Sequence, residues 1–419
     1  MGRLFGILSG AALWWRLLCA GEVCLIGTAD IHGDLTRFRY LAPVIRRYPD
    51  AVNVDAGDLI QGGFAAATLR GEPMIAALNS LHDAGWVPGN HEFEFTPEDF
   101  VAWRRQFTGR ILGAQWRFGA FRPDGFMVVE RSGYRIGVIG LGESGMAGKE
   151  KFVPGLRWED ESAAVRSALT ALIPHRCDAV ILVCHLPIQG NFGPLYRVLR
   201  DNPEIDGVIA AHSHREHAGE LVAGRMAVQP GPRGASAALL TLRFDAERKL
   251  ESVSGQLLRP APEPDRELTR IRHRAERQAG GERRGRNFPN LDAFGAFAAR
   301  ALREECGADA AVFRVRGDAF RSEMDARDLF RLLPYGNRLG VVELEERELA
   351  ETVREQETPP YRVFVDVAPG KHGRLRVVMT DYLLFRSPRL RKLPVRMLAV
   401  FERETIAGRL EKSASGTIL

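Results

Sequence analysis

Cysteine is scarce in this sequence, with five residues among 419, and no two of them show Cys-x-x-Cys spacing. Neither a zinc–thiolate site nor a disulfide framework is therefore indicated. Cys24 and Cys184 lie in apolar runs typical of buried strands, where a thiol acts as a small hydrophobic group. Cys177 and Cys306 lie near expected helix or loop positions and could be free thiols.

The sequence also lacks a dominant charge, an internal repeat and any segment biased enough to indicate a fibre or extended disorder. It carries 58 Lys and Arg against 53 Asp and Glu, a net charge of +5. This balance suits anionic substrates but falls short of the pattern of a nucleic-acid-binding protein. A hydrophobic content of 45% is typical of a soluble globular protein, and the length of the chain predicts two domains.

The N-terminal uncharged stretch, Leu4 to Trp15, is shorter than the roughly 20 apolar residues that a spanning helix needs. Together with Arg3 before it, this stretch is typical of a signal peptide. We expect residues 1–20, including Cys19, to be removed and the protein to reach the periplasm or the extracellular space, with no stable membrane span. Arg16 is an unusual charge within such a segment, so a membrane anchor or a cytosolic start are the alternatives.

From residue 22 to about 245, short apolar runs alternate with amphipathic stretches such as Ser162 to Leu172. This alternation predicts an α/β layered core with a partly parallel sheet. Polar residues cluster where the runs end, which is where open α/β sheets place their sites. The predicted strands are "EVCLIGT", "AVNVDAG", "RIGVIGLG", "DAVILVCH", "GVIAAH" and "ALLTLRF".

The composition changes after residue 255. Residues 256–289 are rich in Arg, Glu and Pro, and acidic residues interleave with the basic ones, which favours a solvated linker helix over a basic patch for nucleic acid. A second domain is expected over residues 290–400, beginning with a helix and continuing with strands. Residues 401–419 are expected to be a tail, with the last dozen residues frayed.

Residues able to bind a metal follow five of the apolar runs. Taken singly, each has a structural explanation, such as a helix cap for Asp58, a turn for Asn90 or a buried core histidine for His185. Their repeated occurrence at strand ends favours a common site instead. The candidates are Asp30, His32, Asp58, Asn90, His91, His185, His212 and His214.

These residue types suit the hydrolysis of phosphate esters, which needs a nucleophile at neutral pH and neutralisation of the charge on the transferred group. Two divalent ions a few ångströms apart supply both. A mixed shell of imidazole, amide and carboxylate ligands favours two ions of Zn, Mn or a similar metal, whereas an all-oxygen shell would have indicated Mg or Ca.

The ordered set "DIH", "GDLIQGG", "GNHE", "CH" and "HSH" resembles the calcineurin-like metallophosphoesterases. Within them the Gly62-Gly63 ending is similar to the two-domain 5′-nucleotidase and 2′,3′-cyclic phosphodiesterase group. The resemblance implies a layered β-sandwich core flanked by helices, with a smaller α/β C-terminal domain.

The resemblance also implies the ligand sets. Asp58 is shared between the two metals, and His91 stabilises the transition state or protonates the leaving group. One metal is held by Asp30, His32, Asp58 and His214, and the other by Asp58, Asn90, His185 and His212.

One residue departs from the family pattern. Family members usually have Gly-Asn-His-Glu-Phe-Asp, and this sequence has Glu94 in the last position. We expect Glu94 to orient His91, since one extra methylene lengthens its reach, with looser geometry that lowers the rate.

The second domain carries fainter signals for substrate binding. Arg321 and, after it, Arg316 are the candidates for holding phosphate, because a guanidinium fork suits that group. Tyr382 and Phe385 could stack a nucleobase, although strand residues of this kind are more often part of the core. The turn "PYGN", residues 334–337, resembles the family's Pro-Phe-Gly-Asn.

The sequence therefore predicts a metallophosphoesterase that hydrolyses phosphomonoesters, with 5′-nucleotides converted to nucleosides and phosphate. A 2′,3′-cyclic nucleotide phosphodiesterase is the alternative enzyme. A metal-binding protein that has lost turnover is the alternative from another class. The presence of every metal-ligand type argues against it, because a degenerate site would be expected to lose some of them.

Overall fold

The computed structural model describes residues 21–146, 148–280 and 286–414. The predicted signal peptide, residues 1–20, lies outside them. Within this described part, no helix has the length and apolar character needed to cross a membrane. The four cysteines that it contains are free thiols, and of these only Cys184 is fully buried.

The strands of the first unit, residues 21–280, form two large sheets with the orders β14-β13-β1-β2-β3-β4 and β11-β12-β10-β9-β7-β6, and a small one that pairs β5 with β8. Their bounds are β1 (Gly21–Thr28), β2 (Val52–Asp55), β3 (Gly85–Trp86), β4 (Arg110–Ile111), β5 (Trp116–Phe118), β6 (Phe126–Arg131), β7 (Tyr134–Leu141), β8 (Leu156–Trp158), β9 (Ala179–Cys184), β10 (Gly207–Ile209), β11 (His217–Val222), β12 (Arg225–Gln229), β13 (Ala237–Phe244) and β14 (Leu250–Leu258).

The two large sheets stack face to face, and helices cover their outer faces. Leu25 of β1 and Val183 of β9 belong to the apolar layer between the sheets. Phe38 belongs to the layer under the helices of the first sheet, and Val165 to the layer under those of the second. The helices of this unit are α1 (Leu35–Ile45), α2 (Phe64–Thr68), α3 (Glu72–Ser80), α4 (Pro97–Gln106), α5 (Glu161–Leu172), α6 (Gly193–Asp201) and α7 (Arg266–Ala279).

The predicted α/β layered architecture is confirmed, and the six apolar runs form β1, β2, β7, β9, β10 and β13. Strands β1, β2 and β3 are parallel neighbours in one sheet, and β7, β9 and β10 are parallel neighbours in the other. The carboxyl ends of parallel strands meet at one edge of a sheet. The loops after these strands therefore lie together, and they carry the candidate metal ligands.

The linker region differs from the prediction. Strand β14 extends the first unit to Leu258, and α7 packs against α1, α2 and α3. Leu268 and Ala275 of α7 are buried, and Leu268 joins the core of the first unit. The few apolar residues of this Arg-rich segment share one face of the helix, so α7 is an integral part of the first unit and not a solvated connector.

The second unit, residues 286–414, is built on a five-stranded sheet with the order β19-β16-β20-β18-β21, and a short pair joins β15 to β17. Its strands are β15 (Arg286–Asn287), β16 (Ala310–Arg316), β17 (Glu323–Met324), β18 (Arg338–Glu345), β19 (Tyr361–Val367), β20 (Arg374–Thr380) and β21 (Val395–Phe401). Its helices are α8 (Leu291–Glu305), α9 (Ala326–Leu332), α10 (Glu346–Gln356), α11 (Asp381–Arg386) and α12 (Glu402–Ala414).

Two expectations for this unit were wrong. The chain after residue 401 is not a frayed tail, because α12 packs on α8 and buries Ile406 and Leu410 in the core. Tyr382 and Phe385 are not strand residues but lie on α11, a short helix that begins at a Thr380 cap. The apolar residues of both helices follow helical spacing over too few turns to stand out in the sequence.

Candidate metal centre

The seven predicted metal ligands converge at the carboxyl ends of the parallel strands. In two groups the potential ligand atoms lie within 4.8 Å of one another: Asp30, His32, Asp58 and His214, and Asp58, His185 and His212. The Asn90 side chain adjoins the second group, since its Oδ1 lies 3.1 Å from His212 Nδ1. Asp58 belongs to both groups, so the arrangement has two compartments that share one carboxylate.

The backbone of this site is unusual. Five of these residues have left-handed φ angles, between 51° and 76°, although none is glycine: Asp30, His32, Asp58, His212 and His214. Such conformations are uncommon for residues other than glycine, and they concentrate at functional sites where the surrounding structure enforces them. Hydrogen bonds between loops enforce them here, from Asp30 N to Gly57 O (2.8 Å) and from His32 N to Asp58 O (2.9 Å).

Two glycines allow the loops to approach one another closely. A Cβ at Gly89 would lie 2.3 Å from Asp58 Oδ1, and one at Gly57 would lie 2.8 Å from His185 Nδ1. Gly57 also has a φ of +103°, which disfavours any other residue. The glycines of "GDLIQGG" and "GNHE" therefore let the loops that carry Asp58, Asn90 and His185 close around one point.

Backbone carbonyls orient two of the histidines. Nδ1 of His185 lies 2.7 Å from Ala56 O, and Nδ1 of His32 lies 3.1 Å from Gln61 O. A carbonyl oxygen only accepts, so in each ring Nδ1–H donates and Nε2 is the nitrogen that faces the centre of the site. This is the ring orientation that a metal-ligating histidine requires.

Some buried ligand-type atoms are poorly satisfied. Asp30 Oδ1 makes no hydrogen bond, and Nε2 of His185 has only the Asp58 carboxylate beside it, with Oδ2 at 3.1 Å, although Asp30 and His185 are both fully buried. Nε2 of His32 and Nε2 of His214 face each other at 3.0 Å. Buried polar atoms without partners are costly, and cations bound between them would supply the missing interaction. The residues present thus fit a pair of divalent ions.

The charges of the site influence one another strongly. Burial alone would raise the pKa of Asp58, but His185 and His91 outweigh it and hold this pKa well below its usual range. Burial lowers the pKa of His32 and of His212, which favours the neutral imidazole that binds metals. The site therefore holds its shared carboxylate ionised.

His91 and Glu94 form a pair at the edge of the site. Nδ1–H of His91 donates to Glu94 Oε1 at 2.5 Å, and Nε2 of His91 lies 4.0 Å from Asp58 Oδ2. Burial would lower the pKa of His91, but the carboxylates of Asp58 and Glu94 raise it to about 9. The longer Glu side chain therefore reaches the histidine, which is held protonated beside the candidate metal ligands.

Glu92 has a structural role that the sequence reasoning missed. Its buried carboxylate accepts hydrogen bonds from four backbone N–H groups, and it thereby ties the Asp58 loop to the loop that carries Asn90. The donors are Asp58, Leu59, Ile60 and Gly89, at 2.8 to 3.1 Å. In the sequence, the only indication of this role was the position of Glu92 directly after Asn90 and His91 in "GNHE".

The predicted substrate residues of the second unit have different surroundings. Arg316 is exposed and forms an ion pair with Asp318 at 2.7 Å, and Arg321 is exposed. Tyr382 is 49% exposed, and its hydroxyl accepts a hydrogen bond from Arg386.

Phe385, another predicted substrate residue, lies against the first unit. Its half-buried ring packs edge-on against Phe152 of the first unit, with the ring centroids 5.7 Å apart. Phe385 is therefore a contact between the units.

Another missed residue lies in the "PYGN" turn. The ring of Tyr335 stacks on His91, with centroids 5.8 Å apart and planes 17° apart, and it remains 51% exposed. Burial raises the pKa of Tyr335, and the neighbouring Glu94, Tyr361 and Tyr382 raise it further, so three tyrosines lie near this edge of the site. The turn motif located Tyr335 in the sequence, but only the fold placed it beside His91.

Comparison with known proteins gives a family match within the first unit. Residues 25–216 match the calcineurin-like phosphoesterase family. A curated relative, Endonuclease YhcR of Bacillus subtilis (strain 168), is 22% identical over 399 residues, which cover 81% of this chain and 32% of the relative. The Probable 5′-nucleotidase of Treponema pallidum (strain Nichols) is 26% identical over 178 residues, which cover 39% of this chain and 28% of the relative. The chain thus spans about a third of the length of the curated relatives it matches.

Among solved structures, a 5′-nucleotidase precursor from Thermus thermophilus is similar with a TM-score of 0.61 and 18% identity, over 94% of this chain and 97% of that one. This likeness extends through both units. Residues 25–216 therefore form a calcineurin-like phosphoesterase domain, in a chain whose two units share the fold of the Thermus thermophilus structure.

Proposed function

We propose that this chain hydrolyses phosphomonoesters with two divalent metal ions, and that 5′-nucleotides are its substrates. The observation that supports this most directly is the pair of ligand groups that share Asp58. In the same proposal residues 21–280 are the catalytic domain and residues 286–414 are the substrate-binding domain. Cleavage of 2′,3′-cyclic nucleotides by the same site is the alternative.

In this proposal Asp30, His32, Asp58 and His214 hold one ion, and Asp58, Asn90, His185 and His212 hold the other. When bound, two ions of Zn, Mn or a similar metal lower the pKa of water and neutralise charge on the phosphoryl group. Because Asp30 and Asp58 contribute only two negative charges, positive charge remains to attract the substrate phosphate.

His91 supplies the proton in this scheme. Its Nδ1–H is bound to Glu94, so Nε2 is the nitrogen that faces the reacting phosphate and carries the transferable proton. The carboxylate of Glu94 keeps the imidazole in this orientation and stabilises its protonated form. His91 therefore donates to the leaving oxygen and Glu94 positions it.

The second unit supports the choice of a nucleotide. Tyr335 and Tyr382 leave about half of their surface exposed, as rings that stack on a base require. We propose that these two rings contact the nucleobase and that Arg316 and Arg321 approach the phosphate. Phe385 is not included, because its ring packs against Phe152.

One experiment tests both the metal number and the substrate. The protein is stripped by chelation, reloaded with Mn²⁺ or Zn²⁺, and assayed for bound metal, for phosphate release from AMP and p-nitrophenyl phosphate, and for opening of 2′,3′-cyclic AMP to the nucleoside monophosphate. We expect two ions per chain and phosphate release from AMP. His185→Asn, which alters only the second ligand group, should reduce the bound metal to one ion, and His32→Asn is the matched variant for the first group.

Particular results would contradict the proposal. One ion per chain in the active protein would exclude a dinuclear site. Equal rates on all three substrates would show that the second unit selects nothing, and cleavage of the cyclic substrate alone would favour the phosphodiesterase. Two bound ions without cleavage of any phosphoester would indicate a metal-binding protein.

A further inference from the structure

One segment of the second unit lies directly on the candidate catalytic residues of the first. We call residues 334–338 the clamp segment. Tyr335 stacks on His91, and the backbone N–H of Gly336 donates to Glu94 Oε2 at 2.6 Å. The other carboxylate oxygen of Glu94 accepts the Nδ1–H of His91. Each member of the His91–Glu94 pair thus contacts the other unit.

Arg338 anchors this segment. Its guanidinium donates from Nη1 to Phe93 O at 2.7 Å and from Nη2 to Phe95 O at 2.5 Å. These carbonyls belong to the residues on either side of Glu94, so the Arg338 side chain binds the backbone both before and after Glu94. The planar fork of arginine can satisfy two carbonyls at once, which the single ammonium group of lysine does poorly.

The contact between the Arg338 guanidinium and these two carbonyls is buried. Arg338 is only 6% exposed, and it approaches the ring of Phe401 with its Cζ 5.2 Å from the centroid. Burial lowers its pKa, which the nearby carboxylates of Asp381 and Glu94 oppose. A charge removed from water requires its partners in place, so the two carbonyl contacts are not exchangeable for solvent.

A second arginine supports the clamp segment from its own unit. Nη1 of Arg403 donates to Leu333 O at 3.1 Å and to Pro334 O at 3.2 Å. Pro334 O also accepts from Nε2 of Gln61, whose Oε1 lies 3.2 Å from His32 Nδ1. The segment is therefore fixed within the second unit and is tied to the first at several points.

From these contacts we infer that Arg338 is a positioning residue: it holds the second unit against the His91–Glu94 pair, so that the docked second unit sets the orientation of the proton donor. This rests on the proposed function. Without the clamp segment, Glu94 loses the Gly336 donor and the backbone anchors on both sides of it. The ring of His91 then loses the fixed direction that its hydrogen bond to Glu94 gives it.

Substrates with different leaving groups test the inference. Ribose O5′ of AMP leaves as a poor anion and needs the proton from His91, whereas p-nitrophenolate leaves without one. In Arg338→Lys we expect kcat for AMP to fall about ten- to a hundredfold and kcat for p-nitrophenyl phosphate to fall less than about threefold. A role in stability alone would lower both rates equally.

A second variant leaves the buried charge intact. In Gly336→Ala the new Cβ would lie 3.1 Å from Glu94 Cβ and 3.3 Å from Glu94 Oε2, which crowds the carboxylate. We expect the same unequal loss on the two substrates. Lys151→Met is the matched control, because Lys151 also donates to two carbonyls across the units, those of Arg391 (2.9 Å) and Leu393 (2.5 Å), but outside the clamp segment. This control should leave the ratio of the two rates unchanged.

A measurement without turnover separates this inference from the proposed function. In the zinc-loaded protein, NMR detects the Nδ1–H proton of His91, which is identified by its loss in His91→Gln. Faster exchange of this proton in Arg338→Lys and Gly336→Ala, but not in Lys151→Met, is expected. Unchanged exchange, or equal rate losses on both substrates, overturns the inference. If the wild type cleaves neither substrate, the proposed function fails and the NMR result alone decides on Arg338.

Discussion

Asp83 provides a quantitative test of the electrostatics in the first unit. It follows α3 in the turn before β3, is only 5% exposed, and burial raises the pKa of its carboxyl group to about 8. In the unfolded chain the pKa of this group returns to an ordinary value near 3.8. Below that value both states bind the proton and folding is not penalised. As the pH rises to about 8, only the unfolded state releases it freely, so stability is lost over this window.

The size of the effect follows from proton linkage. Each pH unit between the two pKa values costs about 1.4 kcal/mol, so the penalty is on the order of 2 kcal/mol at pH 5 and 5 kcal/mol at pH 8. Asp83→Asn keeps the shape and removes the ionisation. It should therefore stabilise the protein by these amounts, and the difference of about 3 kcal/mol between the two pH values does not depend on how well the amide packs.

Urea unfolding at pH 5 and pH 8 measures both values. Asp50→Asn is the matched control, because Asp50 is an exposed aspartate of the same unit, and it should change stability by less than about 0.5 kcal/mol at either pH. The reasoning fails if Asp83→Asn shifts the unfolding free energy equally at both pH values, or if it destabilises more at pH 8 than at pH 5.

Two further variants test the residues around the metal centre. Glu92→Gln replaces one of the two acceptor oxygens by a donor, so two of the four N–H groups lose their partner. Metal affinity, measured by competition with a chelator, should therefore fall about tenfold or more. Glu98→Gln, on the exposed side of α4, is the control and should leave metal affinity unchanged. Glu94→Gln should lower kcat on AMP about ten- to a hundredfold at unchanged metal content, and unchanged turnover would exclude Glu94 as the partner of His91.

Much of the fold was readable from the sequence, because its signals are local. The buried strands are short apolar runs bounded by glycine and polar residues, and Ser162 to Leu172 shows helical spacing, so element type follows from nearest neighbours. The segments that were misread, α7 and α12, bury few large side chains each. Their packing depends on partners far away in the chain, so local composition could not show it.

The sequence by itself determined the residue types of the candidate metal centre, because each is a ligand-type side chain at the end of a predicted strand and the order of the motifs carries the family resemblance. The tertiary structure decided which other groups face them. Glu92 reaches across to the Asp58 loop, and Tyr335 and Arg338 come from more than 240 positions away to meet His91 and the carbonyls around Glu94. Such contacts depend on how two units dock, and docking is set by the complementarity of whole surfaces, which no spacing of residues along the chain records.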